Sequence, residues 1–147
     1  MAAVLAAIGF VGIAAFQVAL AAGVAWGHAA WGGAHAELST GQRICSAVAV
    51  VVWVAAALIV LGRAGFWGAV SSRLRTFFSW GTWFLAAVSV LAAVLNFASQ
   101  SRWENLIFGP LALLLAILCT VVARSAAHGG RGEVGMAAAV RGWQRTP

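Results

Sequence analysis

The residues best equipped for chemistry crowd into one stretch, 25–43, which reads AWGHAAWGGAHAELSTGQR. Imidazole and carboxylate are zinc ligands, and His28, His35 and Glu37 would supply three of them. Their spacing matches no metal-binding signature, and no third histidine lies in the stretch. The same histidines titrate near neutral pH and would suit a pH-dependent gate, yet nothing in the apolar parts of the chain shows what they would gate. The tryptophans offer a third use. Trp26-Gly27 and Trp31-Gly32 each join an amphipathic ring to a backbone free to turn, which predicts a short interfacial helix or re-entrant turn. Such a segment can also cap a cavity holding an apolar or amphiphilic ligand, a lipid or a quinone.

Other polar residues sit at the margins of apolar stretches. Gln17 lies about six residues, or roughly 9 Å, inside the outer end of the first stretch, and Asn96 reaches a similar depth in the third, so the two either touch or share a ligand. Ser101 with Glu104 three residues later forms a capping-box pattern, and Glu104 meets the positive end of a helix dipole. Pro110 would then fall in the first turns, where its missing N–H costs least. Arg43 and Arg102 each share a connection with a carboxylate, which predicts a cross-loop ion pair, Arg43 with Glu104 or Arg102 with Glu37. The candidate ligand-binding residues are therefore Gln17, Trp26, His28, Trp31, His35 and Asn96, and the candidate ion-pair residues are Glu37, Arg43, Arg102 and Glu104. The residues define no catalytic centre, no metal site and no cofactor, because no nucleophile can be placed beside a base.

The elements that must hold these groups are apolar. The chain of 147 residues is 63% hydrophobic and 8% charged, against roughly 25% charged for a soluble domain. Four stretches, about 3–24, 45–61, 77–97 and 106–123, each approach the roughly 20 residues that cross a hydrocarbon core, where only helices or closed barrels satisfy the backbone. The expectation is an all-α, polytopic integral membrane four-helix bundle over 1–124. A Gly/Arg-rich tail follows at 125–147, mobile or interfacial, with Met136, Val140 and Trp143 on one helical face. The first stretch lacks a basic n-region and exceeds a usual signal h-region, so it reads as a retained span.

Small and polar residues recur at spacings of three and four in the third span (Ser79, Thr82, Ala86, Ser89, Ala93, Asn96, Gln100) and the fourth (Gly109, Ala112, Ala116, Cys119, Ala123), with a shorter seam in the first (Gly12, Ala15, Ala19, Ala22). These seams predict the helix contacts, with interhelical hydrogen bonds through Thr82, Ser89 and Asn96, while large residues such as Leu85 and Leu115 would face lipid. No Asp, Glu, Lys, Arg or His falls within a span, which argues against proton or ion translocation.

The net charge of +6 rests on nine arginines and no lysine. Seven of the nine lie either between the second and third spans (Arg63, Arg73, Arg75) or after the fourth (Arg124, Arg131, Arg141, Arg145). The positive-inside bias then predicts cytoplasmic termini and an inner-membrane location, with 25–43 outside. Phe66 and Trp67 with Arg73 and Arg75 read as an interfacial turn on that inner side. Because the basic residues flank spans and form no contiguous patch, membrane lipids with anionic headgroups are the expected partner and nucleic acid is not. Cys45 and Cys119 belong near opposite faces, too far apart for the roughly 5.5 Å Cα separation of a disulfide.

At Phe16, Gln17, Trp26, Gly27, Ala29, Ala30, Trp31, Gly32 and Gly33, and again at Asn96, Ser99, Ser101, Glu104, Gly109 and Pro110, the chain resembles a family of small four-span proteins from high-GC bacteria. The resemblance covers the four spans and not the tail. It implies an inner-membrane location and carries no activity. Many members have proline before the first Trp-Gly, where this chain has Ala25, and proline where it has Trp103. Small multidrug exporters, disulfide-forming membrane oxidoreductases and claudin-like proteins fit poorly, for want of a glutamate in the first span or of paired cysteines. The function expected first is that of a non-enzymatic accessory or interaction subunit, in contact with a partner membrane protein or with further copies of itself through the outer loops. The alternative is a binder or carrier of an apolar ligand, lipid or quinone, in an outer-leaflet cavity.

Overall fold

The computed structural model of the protein describes residues 1–125, and the expectations for the tail lie outside them. Within these residues all regular structure is helical. Four helices are long and apolar enough to cross a membrane: α1 Ala2–Ala22, α2 Thr40–Arg63, α3 Ser72–Phe97 and α4 Glu104–Ser125. Two single turns of 3-10 helix, Gly27–Ala29 and Trp31–Gly33, occupy the long α1–α2 connection.

The helix ends follow local polar chemistry more than hydropathy. α1 stops at Gly23, whose φ of 94° is left-handed and whose N–H donates to Leu20 O at 3.0 Å. α2 begins at Thr40, ahead of the apolar stretch at Cys45, because Ser39 and Gln42 form a reciprocal capping box. Arg43 therefore lies in the first turn of α2, and its Nε donates to Ala21 O at 3.0 Å, placing a cation on the carbonyl end of α1. Ser71 caps α3 by accepting from Leu74 N at 3.4 Å, which draws Arg73 and Arg75 out of the loop and into the opening turns of the helix.

Phe10 stacks on Trp53 with ring centroids 5.6 Å apart. Together with the Arg43–Ala21 contact this aligns α1 and α2 as an antiparallel pair. Ala6, Phe10, Ala56, Val60, Leu85, Leu115 and Cys119 belong to the buried core. Lipid offers no hydrophobic gain for helix association, so close packing of small and large side chains must supply it. On α3 and α4 the expected seams are the buried faces: Thr82, Ala86, Ser89 and Ala93, and Ala112, Ala116, Cys119 and Ala123.

Three expectations are corrected. In α1 the predicted seam is turned outward, with Gly12, Ala15 and Ala22 exposed. The packing face is instead Ala3, Ala6, Ala7, Phe10 and Ala14, because alanine is spread around the whole helix and the Phe10–Trp53 stack decides which side faces in. Leu85 and Leu115, assigned to lipid, are 6% and 2% exposed. A Cβ on Gly9 would lie 2.8 Å from Leu115 Cδ2, so the missing side chain of Gly9 is the hole that Leu115 fills. Finally, Thr82 and Asn96 do not bridge helices: Thr82 Oγ1 donates to Phe78 O and Asn96 Nδ2 to Ala92 O, each at 2.8 Å within its own helix.

Pro110 shapes α4. Helical structure opens at 102, which puts the proline well inside the helix, and the segment Glu104–Phe108 is a π turn in which Gly109 N–H reaches back to Glu104 O. A proline ring collides with the carbonyl four residues before it, and widening the preceding turn by one residue relieves that collision.

Replacing Phe10 with alanine is expected to lower the unfolding free energy by about 3–5 kcal/mol. Phe84, 69% exposed, should cost less than about 1 kcal/mol when changed in the same way. Reversible unfolding in detergent micelles compares the two, and equal losses would contradict this packing.

Candidate binding site

The α1–α2 connection folds back over the end of the bundle opposite Met1 and Ser125 and is locked there by its own backbone. Gly27 N donates to Ala36 O at 2.8 Å, and a Cβ on Gly27 would stand 2.3 Å from His35 O, so only glycine permits the closure. His28 Nδ1 lies 3.0 Å from Gly33 O, which makes it the donor and fixes the tautomer. Trp31, Gly32 and Gly33 carry φ values of 55°, 79° and 74°. Three left-handed residues in a row reverse the chain, and for a tryptophan that conformation costs on the order of 1–3 kcal/mol.

The reversal presents Gly32 N–H to Glu104 Oε1 at 3.1 Å. A second tie lies alongside, where Ser101 Oγ donates to His28 O at 2.7 Å. Ser101 Oγ also accepts from Glu104 N at 3.4 Å, so Ser101 does cap α4. The reciprocal half of the capping box is relayed: Ser101 N donates to Ser99 Oγ at 3.1 Å, and Ser99 Oγ donates in turn to Glu104 Oε2. The carboxylate is thereby left free to reach across to the other connection. Asn105 Nδ2, donating to Phe97 O at 2.8 Å, holds the start of α4 against the end of α3.

The expected cross-loop ion pairs are replaced by these bonds. Arg43 is engaged with Ala21 O and Glu104 with Gly32 and Ser99, while Arg102 and Glu37 are exposed. No ion pair joins the four among the described residues.

Beneath this lid lies a cavity of about 330 Å³, with Gln17, Trp31, Asn96 and Glu104 in its walls. Gln17 and Asn96 thus converge on one space, where they do not bond to each other. Gln17 Oε1 is buried without a hydrogen-bond partner, and Ser89, on α3, also lines the space. A second cavity of about 430 Å³ is bounded by Trp26, His28 and Trp103. Phe16, Ala29 and Phe108 border both cavities and form the partition between them. The Phe16 and Phe108 ring centroids are 4.9 Å apart, and Trp26 stacks on Phe16 at 6.1 Å. Trp26 and Trp103 are half exposed.

His35 and Glu37 border neither cavity and are exposed. Among the described residues no three His, Cys, Asp or Glu side chains gather to hold a metal ion. Cys45 and Cys119 are free thiols. Among the cavity walls, the aromatic rings of Trp53 and Phe108 were not singled out by the sequence, and Phe16 entered only through the family resemblance. A tryptophan at mid-span, away from both interfaces, is the signal that Trp53 carried.

Comparison with models of protein families, with curated proteins and with solved structures finds no match. The fold and site by themselves define a polytopic membrane helix bundle with a tethered loop over a half-open cavity.

Replacing Glu104 with alanine removes the acceptor that holds Gly32 and is expected to destabilise the lid by about 1–3 kcal/mol. Amide exchange at Gly32 and Gly33 should then quicken by at least about tenfold while exchange in the centre of α3 stays unchanged. Unaltered exchange at both glycines would show that the carboxylate does not hold the loop.

Proposed function

We propose that the protein binds one amphiphilic molecule, a lipid or a quinone, in the cavity under its lid, without chemically transforming it. The observation that carries this reading is the convergence of Gln17 and Asn96 on a cavity in which Gln17 Oε1 has no partner in the protein. A buried acceptor left unsatisfied costs about 1–3 kcal/mol, and a ligand hydroxyl or other donor would recover it. The cavity volume falls in the range of about 300–1,000 Å³ usual for small-molecule sites, and a mainly apolar wall with a few convergent polar groups is the usual composition.

The adjoining space favours a ligand that arrives from the bilayer. On the aqueous side the roof is hydrogen-bonded backbone, whereas toward Trp26 and Trp103 the partition is the Phe16 and Phe108 rings with the small side chain of Ala29. Rotation of two side chains is a smaller change than release of the loop. The outer-loop interaction subunit, expected first from the sequence, finds less support, because His28, Ser101 and Glu104 of those loops are spent on holding the loops together.

The arginine asymmetry supports placement in the cytoplasmic membrane with both termini in the cytoplasm and the lid outside. Green fluorescent protein fused after Pro147 should fluoresce, and alkaline phosphatase at the same point should be inactive. The reverse pattern would invert the bundle.

Gentle extraction into nanodiscs followed by mass spectrometry should find one amphiphile per chain. The double substitution Gln17→Leu, Asn96→Leu should reduce occupancy about tenfold with the fold intact by circular dichroism. No bound amphiphile, or full occupancy in the folded double variant, would overturn the reading.

A further inference from the structure

The opposite end of the bundle carries a site of different chemistry. Arg63 closes α2, residues 64–71 make a turn, and Arg75 stands in the opening turns of α3. The turn is held rigidly. Trp67 Nε1 donates to Leu58 O at 3.3 Å, and the Trp67 and Phe78 rings close on Gly62, where a Cβ would meet them at 2.6 and 2.7 Å. Gly65 and Gly68 complete the turn in left-handed conformation at φ 88° and 67°.

This arrangement borders a half-open cavity of about 220 Å³ whose walls include Arg63, Gly65, Gly68, Arg75 and Phe78. Arg63 borders it and is tethered to α4. One end of its guanidinium, Nη2, donates to Ala123 O at 3.0 Å, and its Nε is buried without a partner. One hydrogen bond tethers the guanidinium and uses one of its five N–H donors. α3 begins between two walls of the cavity, Val70 and Arg75, so the positive end of its dipole lies beside it, while the Leu74 and Arg75 N–H groups are already bonded to Ser71. No carboxylate balances this charge among the described residues, since Glu37 and Glu104 both belong to the lid end. Two guanidinium groups beside a helix N-terminus, one of them tethered, match the planar, multidentate geometry of a phosphate group.

We propose that Arg63 and Arg75 bind a phosphate-bearing anion in this cavity, either the headgroup of an anionic phospholipid or free phosphate. The site is independent of the lid cavity. A tethered Arg63 supplies directed hydrogen bonds and Arg75 closes the pair, so the site discriminates by position and not only by total charge.

The full-length protein in a neutral maltoside detergent, titrated with phosphatidylglycerol or with inorganic phosphate and followed by native mass spectrometry and thermal shift, tests this. One equivalent should bind. Arg75→Ala should weaken it by about tenfold, and Arg73→Ala, which removes the same charge from an exposed position outside the cavity, by no more than about twofold. Arg63→Lys keeps the charge but loses the planar fork, and should weaken binding as Arg75→Ala does. Lipid binding without phosphate binding assigns the anion to the leaflet, and phosphate binding assigns it to solution; either supports the site. Equal losses in Arg73→Ala and Arg75→Ala, or no bound anion in either titration, would overturn it.

Discussion

A single carboxylate organises the lid end of this bundle. Glu104 lies at the start of α4, where the helix dipole favours a negative charge, and it accepts Gly32 N–H from a loop seventy-two positions away in sequence. A backbone donor held by a charged acceptor is among the stronger neutral-to-ionic bonds available to a protein, worth about 1.5–3 kcal/mol. That contact keeps the strained run of Trp31, Gly32 and Gly33 in place, which in turn positions Trp31 as a wall of the cavity. The π turn has a part in this arrangement. It absorbs the collision caused by Pro110 within the same segment, Glu104–Phe108, that bears both the lid's acceptor and the partition ring.

Below the lid the packing changes character. The middle and far parts of the bundle interlock small residues with a few large ones, as Gly9 does with Leu115 and Gly62 with Trp67 and Phe78. Nearer the lid, Phe16, Trp53 and Phe108 line one space with Gln17, Ser89 and Asn96 among them. Rigid rings and short polar side chains fill space less completely than alanine against leucine, and a cavity remains where the polar groups lie. A protein interior is ordinarily packed as densely as an organic crystal, so the space is a feature that the aromatic layer maintains.

Much of the fold was legible because α3 and α4 carry contrast. Their small seams alternate with leucine, valine and aromatic faces, and burial follows the contrast apart from Leu85 and Leu115. α1 gave no such contrast, since alanine occurs on every side, and its inward face depends on Phe10 meeting Trp53, a contact between helices that no single-helix pattern encodes. Helix starts were blurred for a related reason: apolar windows end where polar capping residues such as Ser39 and Ser71 begin. At the site, Gln17 and Asn96 stood out as polar residues at equal depth, and Glu104 as half of a capping box. Its true partner, a backbone N–H in a glycine pair, has no side-chain signature. The ion pairs expected of Arg43 and Arg102 failed because nearer acceptors and donors satisfied Arg43 and Glu104 first.

The central claim, that the space under the lid is a binding site for a membrane amphiphile, is tested most directly by an experimental density map of the protein in lipid nanodiscs at side-chain resolution. The account predicts an elongated non-protein density between Gln17 and Asn96, with Gly32 still seated on Glu104. A well-ordered bundle in which Phe16, Trp31 and Phe108 have collapsed to fill the space, with Gln17 bonded to Asn96, would contradict it.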